Sequence, residues 1–84
     1  MIKLFTTPTC PQCQRMKDLF TKNGIDFDQI DLTTPAGLTE LRTLDIWELQ
    51  APILVLDKAI PPKYLKAADI EALSDEALIG VANG

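Results

Sequence analysis

The chain has no histidine, only two cysteines and a single tryptophan among its 84 residues. A closed tetrahedral zinc site needs four ligands, so without histidine or a third cysteine it could form only between two chains. Basic residues are also few, 8 against 12 acidic ones, and they form no basic stripe. This balance argues against nucleic acid as a main partner, and we ascribe the net charge of −4 to solubility.

Targeting and membrane signals are likewise missing. No apolar run approaches the length of a membrane span, and no positively charged leader with an apolar segment stands before residue 10. We therefore expect a cytoplasmic protein without membrane association, in a compartment that keeps thiols reduced. The length, the 46% hydrophobic content and the absence of linkers or repeats predict one globular domain over residues 1–84, which we expect to be monomeric.

The two cysteines that are present stand close together, in the stretch Thr9-Cys10-Pro11-Gln12-Cys13. Pro11 predicts the first residue of a helix, where its missing N–H is not needed. Cys10 is then the N-cap residue, with free backbone N–H groups and the positive end of the helix dipole directed at its sulfur, and both stabilise a thiolate. The apolar residues that follow have helical spacing and share one face: Cys13, Met16, Leu19 and Phe20.

This arrangement predicts a redox pair. Cys10 is the attacking sulfur, and Cys13, one turn further along the helix, closes on it once a mixed disulfide has formed. A purely structural disulfide between them would add almost no stabilisation, because it closes a very short loop. Two inert core cysteines are disfavoured by the exposed helix start and the Pro-Gln spacer. A C-x-x-C pair beside a strand–helix–strand pattern is typical of thioredoxin-like redox proteins.

The first half of the chain predicts strand, helix and strand. The strands cover residues 1–6 and 25–32, and the helix runs from residue 11 to about residue 23, followed by Gly24 in the left-handed conformation. The second strand alternates imperfectly and carries three aspartates, which suits a strand at the edge of a sheet.

A second helix is predicted from residue 35 to about residue 45, with Thr34 as the N-cap and a proline at its first position. It should bury three leucines, Leu38, Leu41 and Leu44. Trp47 follows, and we expect it in the core rather than over the active site, because a large aromatic side chain in a small domain is more often buried.

The last third begins with Pro52, directly before the apolar run 53–56, which predicts a fully buried strand. A short fourth strand is expected at residues 59–60, stopped by two prolines. Residues 67–81 are predicted to be helical, either as one helix or as two with a new N-cap at Ser74. The final residues, 81–84, are expected to fray.

The resulting order, β-α-β-α-β-β-α, describes an α/β fold. Together with four sequence marks it resembles the small thioredoxin-fold redoxins of the glutaredoxin type, over nearly the whole chain. The marks are Phe5-Thr6, Thr9 to Cys13, Gly24 to Phe27, and Gln50-Ala51-Pro52 before the apolar strand. The resemblance implies a thioredoxin fold, with a four-stranded mixed sheet flanked by helices.

The resemblance also implies site residues. The Ala51–Pro52 peptide bond should be cis, and the loop around it should lie against Cys10 and offer backbone groups to an extended substrate segment. Thr9, Pro11 and Gln12 would shape the approach to the sulfur, and Pro52 would exclude metal ions or misplaced thiols. Catalysis would fall to Cys10 and Cys13, with no cofactor and no metal.

Two departures concern the reductant. Glutathione-using glutaredoxins carry a Gly-Gly turn and an acidic residue after the fourth strand, and commonly a lysine shortly before the first cysteine. Here the corresponding stretch is taken as residues 59–64, which contain no glycine, and Thr7 stands near the lysine position. The Pro-Gln spacer and the Gln50–Pro52 stretch are closer to redoxins that reduce ribonucleotide reductase and are recharged by thioredoxin reductase, although the aromatic-Ser-Gly-Phe stretch usual in those redoxins is absent.

The sequence thus predicts a dithiol–disulfide oxidoreductase that acts on protein disulfides and is recharged by a thioredoxin-reductase-like enzyme. Three alternatives stay open. The chain could be a glutathione-dependent glutaredoxin. It could carry an iron–sulfur cluster between two subunits through Cys10, although Pro11 disfavours this. It could also be a docking module whose cysteine pair regulates partner binding.

Overall fold

The computed structural model describes residues 2–48, 50–57 and 63–83 of the chain. These residues form four strands and four helices. In chain order they are β1 (Ile2–Thr6), α1 (Pro11–Lys22), β2 (Phe27–Asp31), α2 (Pro35–Thr43), β3 (Ile53–Asp57), β4 (Lys63–Leu65), α3 (Ala67–Ala72) and α4 (Asp75–Asn83).

The strands form one mixed sheet in the order β2-β1-β3-β4. Strand β1 pairs in parallel with β2 and antiparallel with β3, and β3 pairs antiparallel with β4. The predicted mixed sheet and the predicted edge position of the aspartate-bearing strand are therefore confirmed. None of the helices in the described parts of the chain is long and apolar enough to cross a membrane.

Each face of the sheet has its own buried cluster, because alternate residues of the two central strands point to opposite sides. Leu4 and Leu54 face α1, α3 and α4, whereas Phe5, Ile53 and Val55 face α2. The first cluster is Leu4, Met16, Phe20, Leu54, Ile70 and Leu78. The second is Phe5, Leu41, Ile46, Ile53 and Val55. Burying these side chains on both faces fixes β1 and β3 at the centre of the sheet, and β1 leads through a short loop to the cysteine pair.

The predicted helix ends are largely confirmed. Helix α1 begins at Pro11 after the N-cap Cys10, and Gly24 behind its end has a φ of +67°. Helix α2 begins at Pro35, and the side chain of its N-cap, Thr34, accepts a hydrogen bond from the Gly37 N–H. Gly37 packs so closely that a Cβ there would lie 2.0 Å from the Asp31 carbonyl oxygen.

Two predictions about the α2 region are wrong. Leu38 is 41% exposed and Trp47 is 67% exposed, so neither belongs to the core. Helix α2 ends at Thr43, and Asp45 adopts a φ of 61°, which turns the chain away from the helix. Ile46 is thereby carried into the core and is fully buried in place of the tryptophan.

The last third of the chain differs from the prediction in the position of its final strand and in the extent of its helices. The predicted strand at residues 59–60 lies outside the described residues, and the strand that pairs with β3 is β4, at Lys63–Leu65. The C-terminal helical region is two helices with a break around Ser74, one of the two predicted arrangements. Helix α4 continues to Asn83, so residues 81–83 are helical, and the fraying expected there stays a prediction.

Candidate redox site

Cys10 stands at the start of α1 with its sulfur over the first turn. Its backbone is extended, with φ −102° and ψ 110°, and its Sγ accepts a hydrogen bond from the Cys13 N–H at 3.1 Å. Pro11 supplies the first helical residue without an N–H of its own. The Cys10 sulfur therefore lies at the positive end of the helix, where a backbone N–H donates to it.

Cys13 lies below it in a different environment. Its side chain is 1% exposed, whereas Cys10 is partly accessible. Burial, reinforced by its hydrogen bond with Cys10, raises the pKa of the Cys13 thiol to about 12, although a backbone hydrogen bond from Thr7 and the charge of Lys17 act in the opposite direction. Cys13 is therefore a protonated thiol at neutral pH, and the accessible sulfur of the pair is Cys10.

The loop before β3 lies against the Cys10 sulfur. The Ala51–Pro52 bond is cis, as the resemblance implies, and the Cys10 thiol donates to the Ala51 carbonyl oxygen at 3.6 Å. Forty-one residues separate these two groups along the chain. They meet because β1, which leads to Cys10, pairs with β3, which follows Pro52. Pro52 itself is buried.

The remaining predicted residues surround Cys10 on the accessible side. Thr9 and Pro11 are exposed, and Gln12 is partly buried. The Gln12 Oε1 accepts a hydrogen bond from Arg15 Nη1 at 3.0 Å. The structure thus brings the cysteine stretch and the Ala51–Pro52 loop into one place, and the roles predicted for Thr9, Pro11 and Gln12 in substrate approach stay predictions.

Arg15 on α1 is a residue near the site that the sequence did not predict. Besides Gln12, it donates to the carbonyl oxygens of Ile70 at 3.3 Å and Leu73 at 2.9 Å. It also forms an ion pair with Asp75, with Nη2 2.7 Å from Oδ1. Its i,i+3 spacing from Gln12 could have indicated the first contact. The others join α1 to α3 and α4, and no local pattern predicts them.

A cleft of about 430 Å³ opens beside the Ala51–Pro52 loop. One wall comes from the segment between α2 and β3, and the other from the start of α3. The described residues that line it are Trp47, Glu48, Gln50, Lys66, Ala67 and Ala68. Gln50 in this lining directly precedes Ala51, whose carbonyl oxygen contacts the Cys10 sulfur.

The position of β4 corrects the comparison with glutathione-using glutaredoxins. Because β4 is Lys63–Leu65, the stretch after the fourth strand is residues 66–69 and not residues 59–64. It contains an acidic residue, Asp69, but two alanines stand where the family pattern has glycines. The Asp69 carboxylate accepts from the Lys66 backbone N–H at 3.2 Å, so it already serves the start of α3.

The parts of the chain that the structure describes contain no group of three or more histidine, cysteine or acidic side chains arranged to hold a metal ion. The site therefore consists of a thiol pair, a helix start and a proline loop. A mixed sheet that presents an accessible N-cap cysteine above a buried one defines the thioredoxin-like class of redox proteins.

Comparison with known proteins agrees with this class. The sequence model of the glutaredoxin family matches residues 2–44. The chain is 33% identical over 74 residues to the Gene 56 protein of Mycobacterium phage L5, covering 88% of this chain and 72% of that protein. It is 30% identical over 69 residues to an uncharacterized glutaredoxin-like 8.6 kDa protein in the rubredoxin operon of Clostridium pasteurianum, covering 80% and 89% of the two chains.

Solved structures show the same fold. The crystal structure of the thioredoxin-like protein BC3987 superposes with a TM-score of 0.70 at 20% identity, covering 96% of this chain and 99% of that one. The chain belongs to the glutaredoxin family, and its fold is the thioredoxin fold. Membership of this family together with the Cys10–Cys13 pair supports a redox function of the thiol oxidoreductase type.

Proposed function

We propose that this protein is a dithiol–disulfide oxidoreductase that reduces protein disulfides through Cys10 and Cys13. The observation that carries the proposal is the asymmetry of the pair. The Cys10 Sγ is partly accessible and receives the Cys13 N–H at 3.1 Å, whereas the Cys13 thiol is buried directly beneath it. One sulfur is placed to meet a substrate, and the other is placed to meet only the first sulfur.

The reaction takes two exchange steps. The Cys10 thiolate attacks one sulfur of the substrate disulfide, so that a bond from Cys10 to the substrate forms and the other substrate sulfur leaves as a thiolate. Cys13 then attacks the Cys10 sulfur, the protein disulfide forms, and the second substrate sulfur departs. The proton that Cys13 loses ends on the departing thiolate, directly or through solvent. The substrate gains two electrons, and the protein is left oxidised.

The oxidised pair must be reduced again, and we propose a thioredoxin-reductase-like enzyme as the electron source. Two features support this choice over glutathione. Alanines at positions 67 and 68 lack the backbone freedom with which consecutive glycines form an anion-binding turn. The Asp69 carboxylate is engaged with the Lys66 N–H, and Thr7 offers no cation.

One observation favours the glutathione alternative. The cleft between Gln50 and Lys66 lies beside the Ala51–Pro52 loop and, at about 430 Å³, has room for a small peptide. Lys66 could provide a cation for a carboxylate there. The two reductants therefore need a direct comparison.

The oxidised protein should be offered each electron source separately: NADPH with thioredoxin reductase, or NADPH with glutathione and glutathione reductase. NADPH consumption and the appearance of two thiols per chain report reduction. We expect rapid reduction only in the first arm. Rapid reduction in the glutathione arm alone would replace the proposed reductant, and failure in both arms with dithiothreitol still active would contradict both. The Cys10→Ser variant is the blank in each arm.

A further inference from the structure

Trp47 is the more exposed of the two exposed aromatic side chains in the described parts of the chain, and its indole is held in place although it is 67% exposed. The indole Nε1 donates to the Asp45 Oδ1 at 2.8 Å. The guanidinium of Arg42 lies over the ring, 5.0 Å from its centroid. Two partners on the protein surface therefore fix a ring that the core does not cover.

The backbone beneath the ring is fixed as well. Arg42 Nη1 donates to the carbonyl oxygens of Ile46 at 2.7 Å and Glu48 at 3.3 Å, on both sides of Trp47. Ile46 is fully buried and anchors the segment in the core. Because the ring and its backbone are already ordered, a partner that covers the indole loses little conformational entropy in doing so.

The ring also borders the cleft beside the redox loop. The apolar surfaces in that cleft are Trp47, Ala67 and Ala68, whereas Glu48, Gln50 and Lys66 provide polar groups of both charge signs around them. An aromatic side chain within a ring of polar groups is the arrangement that concentrates binding energy in protein interfaces. From Gln50 the chain passes directly to Ala51, whose carbonyl contacts the Cys10 sulfur.

We propose that Trp47 is the docking platform for an apolar side chain of the protein segment whose disulfide Cys10 attacks. The inference rests on the proposed function, because the segment is brought to the cleft by its bond to Cys10. An apolar side chain near the attacked cysteine would lie on the indole and on the two alanines, and the polar groups around them would exclude water. The specificity is therefore for protein disulfides flanked by a leucine-like or aromatic residue.

Glutathione is the competing occupant of the same cleft. Its flanking residues are a γ-linked glutamate and a glycine, and neither has an apolar side chain to cover the indole. A cleft suited to glutathione would use charge and backbone N–H groups, whereas this one exposes an indole and two methyl groups beside one lysine and one glutamate. A protein segment with an apolar side chain should therefore cover the Trp47 indole, whereas glutathione should leave it exposed to solvent.

The test uses the only tryptophan of the chain as its reporter. The Cys13→Ser variant is reacted with peptides whose single cysteine is activated as a thionitrobenzoate disulfide, so the released thionitrobenzoate counts the bonds formed to Cys10. One peptide carries leucine on both sides of the cysteine, the matched peptide carries serine, and glutathione is the third adduct. We expect a blue shift of the emission and reduced acrylamide quenching with the leucine peptide alone.

A second measurement gives the preference as a ratio. The leucine and serine peptides compete for Cys10 at thiol-exchange equilibrium, and mass spectrometry reports the two adducts. We expect roughly a tenfold preference for leucine, which corresponds to about 1.4 kcal/mol of binding free energy. Trp47→Ala should abolish the preference, Trp47→Phe should keep most of it, and Leu38→Ala, which removes another exposed apolar side chain, should leave it unchanged.

The outcomes separate this inference from the proposed function. Equal adducts and equal emission for the two peptides would overturn docking on Trp47, while reduction of a small disulfide by the unaltered protein would still support the proposed function. A blue shift with glutathione as large as that with the leucine peptide would assign the cleft to glutathione instead. Preference retained in Trp47→Ala would overturn the assignment to this residue.

Discussion

Helices α1 and α2 begin in the same way, and only one of these beginnings holds a candidate redox site. Each has a proline at its first position, and each N-cap side chain accepts the backbone N–H three residues later. In α1 the acceptor is the Cys10 sulfur, 3.1 Å from the Cys13 nitrogen. In α2 it is the Thr34 hydroxyl oxygen, 3.0 Å from the Gly37 nitrogen.

The surroundings of the two helix starts differ. At α2 the Thr34 hydroxyl also donates to the Asp31 carbonyl oxygen at 2.8 Å, and Gly37 lies against the same carbonyl group. At α1 the Cys10 thiol donates to the Ala51 carbonyl oxygen at a long 3.6 Å, and its sulfur stays partly accessible. A shared local pattern therefore builds two equivalent helix caps, and the chemistry depends on the nucleophilic atom and on the space left beside it.

Replacing the N-cap sulfur of α1 with a hydroxyl oxygen should have the largest effect, and this effect is on activity. Cys10→Ser gives α1 the hydroxyl cap that α2 has, so the helix should keep its cap and the unfolding free energy should change by less than about 1 kcal/mol. Disulfide turnover should fall more than about a thousandfold, because the attacking sulfur is gone. Turnover assays and urea unfolding on one preparation check both statements. Sustained turnover by this variant would contradict the role of Cys10.

Adding a methyl group at the closely packed start of α2 should have the next largest effect. Gly37→Ala places a Cβ 2.0 Å from the Asp31 carbonyl oxygen, so the backbone must move, and we expect a loss of about 1–3 kcal/mol in urea unfolding. The control is Gly80→Ala in α4, where no heavy atom lies within 4 Å and a gain of about 0.5–1 kcal/mol is expected. Equal effects of the two changes would show that α2 is not closely packed at its start.

Removing the hydroxyl cap should have a smaller effect. Thr34→Ala leaves the Gly37 N–H without its acceptor, and we expect a loss of about 1 kcal/mol in thermal or urea unfolding. The rate of disulfide exchange at Cys10 should be unchanged, because α2 packs on the opposite face of the sheet from α1. A changed exchange rate would mean that the two helix starts are coupled through the sheet.

A pH dependence of stability should also distinguish the two helix starts. The pKa of Cys13 is raised from its ordinary value of 9.0 to about 12 by burial, so the folded protein keeps a proton that the unfolded chain loses. Stability from this group is complete below pH 9 and is lost as the pH rises towards 12. The free energy of unfolding of the reduced protein, measured in urea, should therefore decline more steeply above pH 9 than that of Cys13→Ser. In this variant no thiol titrates at position 13. Parallel declines would contradict the raised pKa.

The sequence was informative where structure is decided locally. Pro11 with Cys10, Pro35 with Thr34, and Gly24 behind α1 each determine a helix end through groups a few residues apart, and all were predicted correctly. The buried strand after Pro52 was predicted from its unbroken apolar run. Placement of Ala51 beside Cys10 came only from the family resemblance, since pairing of β1 with β3 brings together groups 41 residues apart.

The errors have equally physical causes. Trp47 was assigned to the core by its size, but a cation above its ring and an acceptor for its N–H make the exposed position stable. The predicted strand at residues 59–60 lies outside the described residues, and the residues that pair with Val55 and Leu54 are Tyr64 and Leu65. Arg15 looked like an ordinary solvent-exposed residue because its carbonyl partners are 55 and 58 residues away.

These distant partners of Arg15 determine when α1 becomes attached to the rest of the fold during synthesis on the ribosome. The reactive helix is made early, but the carbonyl groups and the carboxylate that hold its arginine belong to residues 70–75. While those residues are still inside the ribosomal exit tunnel, α1 lacks this attachment and the packing of Ile70 and Leu78 in its buried cluster. Until α3 and α4 emerge, the nascent chain therefore carries its cysteine pair on a helix that Arg15 does not yet attach to the rest of the fold.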